Sequence, residues 1–135
     1  MAKPTLTIII PAYQVGDTLA KCVNSVASQD FQSWQAIIVD DGSPDNTPQI
    51  ADYLASQDSR IITVHKANGG LSDARNYALD ILFGKTTIDI SLPLGITDYV
   101  TFIDSDDYIL PGALSTLMED LANHPEYDIL EYSAT

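Results

Sequence analysis

This sequence predicts an α/β fold: a doubly wound, mostly parallel sheet with helices on both faces. Three observations carry the prediction. Short apolar runs alternate with segments of helical period along the chain. The runs LTIII, AIIV and VTFI are continuously hydrophobic, as expected of strands covered on both faces. Turn chemistry follows the runs, so successive strands are joined through helices, which implies βαβ units with right-handed crossovers.

Taken in order, TLTIII (5–10) reads as a buried strand ended by Pro11. GDTLAKCVNSVASQ (16–29) reads as a helix capped by Asp17, with Leu19, Cys22, Val23 and Val26 on one face. WQAIIVD (34–40) is the second strand, and DGSPDNT leads into a second helix, TPQIADYLASQ (47–57), with Pro48 in its first turn. RIITVH (60–65) is the third strand and ANGG (67–70) a turn. LSDARNYALDILFG (71–84) reads as a helix capped by Ser72 and closed by Gly84. KTTIDISLPLGIT (85–97) has no clean period and reads as a loop, either a cover for a site or a surface insertion. YVTFID (99–104) is the fourth strand, LPGALSTLMEDLANH (110–124) the fourth helix with Pro111 in its first turn, and YDILEYS (127–133) the start of a fifth strand.

The length, 135 residues, fits one domain. Six Lys and Arg against nineteen Asp and Glu give a net charge of −13, which argues against nucleic acid and against anionic lipid as partners. Cys22 is the single cysteine, so no intramolecular disulfide forms, and it reads as a small buried hydrophobe. No apolar run reaches the roughly 18–20 residues of a membrane span, and the N-terminus lacks the apolar core of a signal peptide. The expectation is a cytoplasmic protein, free or peripheral at the inner face of a membrane.

Ligands of open parallel sheets bind beyond the carboxyl ends of the strands. Behind strand one stand Pro11, Ala12 and Tyr13; behind strand two, Asp40, Asp41, Gly42 and Ser43. Behind strand three stand Lys66, Asn68, Gly69 and Gly70, with Asp73 and Arg75 opening the next helix; behind strand four, Asp104, Ser105, Asp106 and Asp107. Each group alone is ordinary turn or capping chemistry. Their convergence on one rim is not, and three crowded carboxylates in a cation-poor chain need a counter-charge. The candidate donors are all oxygen, with no Cys or His beside them, which favours Mg²⁺ or Mn²⁺ over Zn²⁺. Such an ion keeps positions open for substrate phosphates.

The segments IIIPAYQ, IIVDDGSPDNT, NGGLSDARNYAL and FIDSDDYILPG, in this order, resemble the family 2 glycosyltransferases of the GT-A fold over about residues 5 to 133. The resemblance implies a Rossmann-like nucleotide-binding half and an inverting transfer of sugar from a UDP-sugar donor to a saccharide or lipid-linked acceptor. Bacterial cell-surface polysaccharide synthesis is the usual setting. It places Pro11, Ala12 and Tyr13 at the nucleobase, with Asp41, or its neighbour Asp40, accepting the uracil N–H. Asn68 and Gly70 fall in the same nucleotide-sugar site, with Arg75 on the nucleotide or its phosphates. Asp104-Ser105-Asp106 matches the DXD motif, Asp104 toward ribose and sugar and Asp106, with Asp104, toward Mn or Mg.

This sequence also departs from the family pattern. Gln14 stands where relatives usually carry Asn, and the loop 85–97 is longer than usual. The reading for residues 1–135 is a single nucleotide-sugar-binding domain cut before the acceptor-binding half. The general base is then expected beyond Thr135, and an apolar sheet face left exposed would favour self-association into a homo-oligomer. Two alternatives stand beside it. A module could bind UDP and metal without transferring sugar. A haloacid-dehalogenase-type phosphatase also places two aspartates after an apolar strand, but Tyr108 stands where its signature has Thr or Val.

Overall fold

The computed structural model describes residues 5–86, 90–124 and 126. The elements are β1 (Leu6–Ala12), α1 (Leu19–Ala27), β2 (Trp34–Asp41), α2 (Thr47–Gln57), β3 (Ile61–Lys66), α3 (Leu71–Leu82), β4 (Tyr99–Phe102) and α4 (Ala113–Asn123). All strand pairs are parallel, in the order β3-β2-β1-β4. The chain therefore winds outward from β1 through β2 to β3, then crosses back to place β4 on the other side of β1. Crossovers of one hand must put α3, the helix of that returning connection, on the face opposite α1 and α2. It lies there: α3 covers one face, and α1 and α2, joined by α4 after β4, cover the other.

Alternation along each strand divides the core into two clusters. Leu6, Ile8 and Ile10 of β1 and Ala36 and Ile38 of β2 meet Leu19, Cys22, Val23 and Val26 of α1, Ala51 and Leu54 of α2, and Leu114, Leu117, Met118 and Leu121 of α4. Ile9, Ile37, Val39 and Val64 point the other way, onto Ala74, Ala78 and Ile81 of α3. Burying each Val, Leu, Ile or Met among these contributes roughly 1.5–3 kcal/mol, so both faces of the central strands are held by transfer from water.

Several boundaries differ from expectation, each for a backbone reason. Pro11 does not end β1, which stays paired with β2 through Ala12. It ends the β1–β4 ladder instead. The Ile103 N–H bonds the Ile9 carbonyl, and the next parallel rung would need an N–H from Pro11, which has none. β4 accordingly stops at Phe102 rather than Asp104, and the chain peels away from β1.

Asp17 does not cap α1; Thr18 flanks it, and the Val15 carbonyl takes both the Thr18 and Leu19 N–H groups. Ser72 lies inside α3, which starts directly after Gly70. Gly84, at φ +69°, closes α3 as expected, with the Gly84 and Lys85 N–H groups bonding the Ile81 and Asp80 carbonyls. Pro111 precedes α4, because Gly112 in left-handed backbone (φ +81°) interrupts the approach to Ala113. The fifth strand expected at 127–133 lies outside the described residues.

The loop before β4 settles at the amino ends of the strands. Gln35, fully buried, donates to the Gly95 carbonyl at 2.7 Å and to Thr7 Oγ1 at 3.0 Å, and accepts the Leu94 N–H at 2.8 Å. Ile90 and Leu92 pack against the α3-side core. Residues 90–97 thus extend the cover of that face and lie at the amino ends of the strands, away from the carboxyl ends.

Candidate functional site

The reversal in strand order leaves a crevice where β1 and β4 diverge, at the carboxyl edge. A cleft of about 530 Å³ lies there, lined by Pro11, Ala12, Tyr13 and Val15, by Asp41, Asn68, Gly70, Leu71 and Ala74, and by Asp104, Ser105 and Asp106. Nine of the twelve were picked out from sequence: Pro11, Ala12, Tyr13, Asp41, Asn68, Gly70, Asp104, Ser105 and Asp106. Val15, Leu71 and Ala74 were missed. Leu71 and Ala74 carry a signal in their i, i+3 spacing, which sets them on one side of the first turn of α3.

Asp104, Asp106 and Asp107 each offer a carboxylate oxygen within 4.8 Å of the others. The tight turn that closes Asp107 N–H onto the Asp104 carbonyl, 3.0 Å, brings them round to one point. Beneath it, the Cys22 thiol donates to the same carbonyl at 3.6 Å. Burial, then the charges of Asp107, Asp106 and Asp104, push that thiol up to about 12, so it stays protonated and inert, as expected of a small core residue. Three clustered oxygen donors, two of them exposed, suit a hard divalent cation that retains positions for phosphate oxygens.

Arg75 projects from α3 to the rim, with Nη2 3.4 Å from Asp104 Oδ1 and its guanidinium 5.3 Å from the Phe102 ring centre. It stands beside the cleft wall and partly offsets the carboxylate charge. Tyr13 is 45% exposed, its ring available as a flat surface. The next residue, Gln14, holds left-handed backbone (φ 52°), and its N–H bonds Ser43 Oγ at 3.2 Å. Asn adopts that conformation more readily than Gln.

The two consecutive aspartates of β2 part company, because neighbouring strand residues face opposite sides. Asp41 turns toward α3 and the cleft. Asp40 turns away, onto the α2 side, where His65 Nδ1 sits 2.8 Å from its Oδ2 and the Ser43 N–H 3.1 Å from its Oδ1. His65 Nε2 meets Asp52 Oδ1 of α2, also at 2.8 Å. The hydrogen bond to Asp40, together with Asp52, raises the His65 pKa against the opposing effect of burial.

Asp41 is buried and accepts from Lys66 Nζ and the Gly69 N–H on Oδ1, and from Asn68 Nδ2 and the Gly70 N–H on Oδ2, at 2.8 to 3.2 Å. Burial pushes its pKa up, but the Lys66, Gly70 and Gly69 hydrogen bonds and the Lys66 charge prevail and hold the carboxyl below its usual range.

The sequence pattern described as Glycosyl transferase family 2 matches residues 7–130. The chain belongs to that family.

Among family 2 relatives, it is 34% identical over 129 residues to the uncharacterized glycosyltransferase YibD of Escherichia coli K12, covering 96% of this chain and 33% of that protein. It is also 34% identical over 118 residues to the Campylobacter jejuni GalNAc(5)-diNAcBac-PP-undecaprenol beta-1,3-glucosyltransferase, covering 86% of this chain and 34% of that protein. The crystal structure of S. aureus TarS 1-349 in complex with UDP superposes with a TM-score of 0.70 at 26% identity, covering 90% of this chain and 33% of that one. The chain thus spans about one third of the length of these curated relatives. Membership removes the phosphatase alternative.

Proposed function

We propose that this chain is the donor-binding part of an inverting glycosyltransferase that takes its sugar from a UDP-sugar. One observation carries the reading: the acidic turn 104–107 and the cleft of about 530 Å³ meet at the place where the described strands reverse their order. The UDP complex of S. aureus TarS supports uridine diphosphate as the nucleotide. The name of the Campylobacter relative supports a saccharide on a lipid diphosphate as acceptor, and bacterial cell-surface polysaccharide synthesis is the setting that fits such an acceptor. No described helix is long and apolar enough to cross a membrane.

In this reading Tyr13, Pro11 and Ala12 pack against the base, Asp41 with Asn68 and Gly70 forms the wall beside it, and Ser105 and Asp104 face ribose and sugar. Asp106 and Asp104 hold Mn²⁺ or Mg²⁺, whose chemistry is to neutralise charge on the diphosphate leaving group. Arg75 adds a fixed positive charge at the same rim, where a water-poor cleft strengthens it. Transfer with inversion also needs a base that takes the acceptor proton. Among the described cleft residues, Asp41 is saturated and Asp104 and Asp106 are committed to the cation, so the base is assigned to the acceptor-binding half. That same observation favours the second reading for the chain taken alone: binding of UDP and metal without transfer.

The test is a calorimetric titration of the chain with UDP in Mn²⁺ and then in EDTA, beside Asp106→Ala. Metal-dependent binding that the variant abolishes is expected. A folded chain with no affinity for UDP in either condition would overturn the reading.

A further inference from the structure

Lys66 has no part in the reading above, and its surroundings supply one. It ends β3 with a side chain only 10% exposed. Its ammonium reaches three acceptors: Asp41 Oδ1 at 2.8 Å, the Ala67 carbonyl at 2.6 Å, and the Asp73 carboxylate in the first turn of α3. An ammonium has three N–H donors, so none is left to meet a ligand. On the other side of the pair, a carboxylate offers about four lone-pair positions, and Asp41 fills them with Lys66 Nζ, Asn68 Nδ2 and the N–H groups of Gly69 and Gly70. The turn 67–70 is therefore wrapped around one buried ion pair and tied through Lys66 to α3. Space is as tight as the bonding: a Cβ on Gly69 would run into the Asp73 carboxylate and stand 3.0 Å from Lys66 Nζ.

We propose that Lys66 is a positioning residue of the donor site. It touches no ligand. It acts through Asp41 and Asp73, fixing the 67–70 turn and the first turn of α3, from which Asn68, Gly70, Leu71 and Ala74 line the cleft. A second consequence concerns Asp41: a base N–H is accepted there only in exchange for one of the four donors already in place. Removing Lys66 leaves a buried carboxylate short of its counter-charge, and the turn must move to bring water to it. The inference rests on the donor-site reading for its affinity arm and on the chain's own geometry for its structural arm.

The experiment compares wild type, Lys66→Met, Lys66→Arg and Asp73→Asn in the same UDP and Mn²⁺ titration, with ¹⁵N-labelled spectra recorded before UDP is added. The Gly69 and Gly70 amides, both bonded to Asp41, report the turn directly. Lys66→Met is expected to shift both amides and weaken UDP about tenfold, the loss of one charge-assisted bond. Lys66→Arg, which keeps the charge in a bulkier group, should fall between wild type and Lys66→Met on both readouts, and Asp73→Asn should show a smaller change than Lys66→Met in the same direction. A folded Lys66→Met that keeps its glycine shifts and binds UDP within about twofold of wild type overturns the proposal, since about twofold is too small for a charged bond. Where Lys66→Met does not fold, Asp73→Asn decides by the same criteria. Wild type that binds no UDP defeats the donor reading alone; the glycine amides then decide for or against the positioning role.

Discussion

Gly42 and Gly84 have nearly the same backbone conformation, φ +70° and +69°, and opposite surroundings. A Cβ on Gly84 meets nothing within 4 Å, whereas one on Gly42 would stand 2.6 Å from the Asn68 backbone N and 3.2 Å from its Cα. Both Gly→Ala changes incur the left-handed strain, about 1–2 kcal/mol. Both also regain some stability through a less flexible unfolded chain, about 0.4–1 kcal/mol. The two terms cancel between the variants. What remains is overpacking against backbone that cannot rotate aside, about 1–3 kcal/mol.

Gly84→Ala is thus expected to cost about 1 kcal/mol and Gly42→Ala about 3 kcal/mol. Urea unfolding followed through the single tryptophan, Trp34, which is 1% exposed, measures both. Because Gly42 presses on the 67–70 turn, its variant should also lose UDP affinity while Gly84→Ala keeps it. A stability difference under about 0.5 kcal/mol would refute the argument, because a 2.6 Å backbone contact cannot be that cheap.

Two further outcomes test the description of the fold. The raised His65 pKa means that its bonds to Asp40 and Asp52 contribute fully below the ordinary histidine value and fade as pH rises through the raised folded one. The melting temperature of wild type should therefore fall as pH rises past the ordinary histidine value, about 6.5, and the fall should flatten in His65→Asn; an unchanged slope would remove His65 as its source. Gln35→Ala strands the Leu94 N–H and the Gly95 carbonyl and should cost about 2 kcal/mol in urea unfolding. UDP affinity should hold in that variant, since Gln35 sits at the amino end of the sheet; an affinity that falls with stability would contradict the separation of that loop from the cleft.

Much of this was legible in the chain. Continuous apolar runs, helical spacing and the glycine-rich turns mark a parallel sheet, and the rule that ligands sit beyond strand carboxyl ends picks out Tyr13, Asp41, Asn68 and Asp104 to Asp106 from the chain alone. Helix starts were less legible. Asp17 and Ser72 have good capping chemistry, but the Val15 carbonyl and Gly70 set those boundaries through backbone geometry that composition does not encode. Asp40 and Asp41 are alike in sequence, and only the registered strand says which faces the cleft.

The sequence by itself determined the order of elements, the two-sided burial of the central strands β1 and β2 and the carboxylate cluster, because these depend on local periodicity and on residues close along the chain; β4, equally apolar in sequence, is only half-buried, with Phe102 exposed. Tertiary structure decided what depends on partners far apart. Pro11 turned out to end a ladder rather than a strand, because β4 lies on the side where its missing N–H would have served. Lys66 became the counter-charge of Asp41, 25 residues earlier, because β2 and β3 run in register. A hydrogen bond is specified by position in space, and sequence distance does not report it.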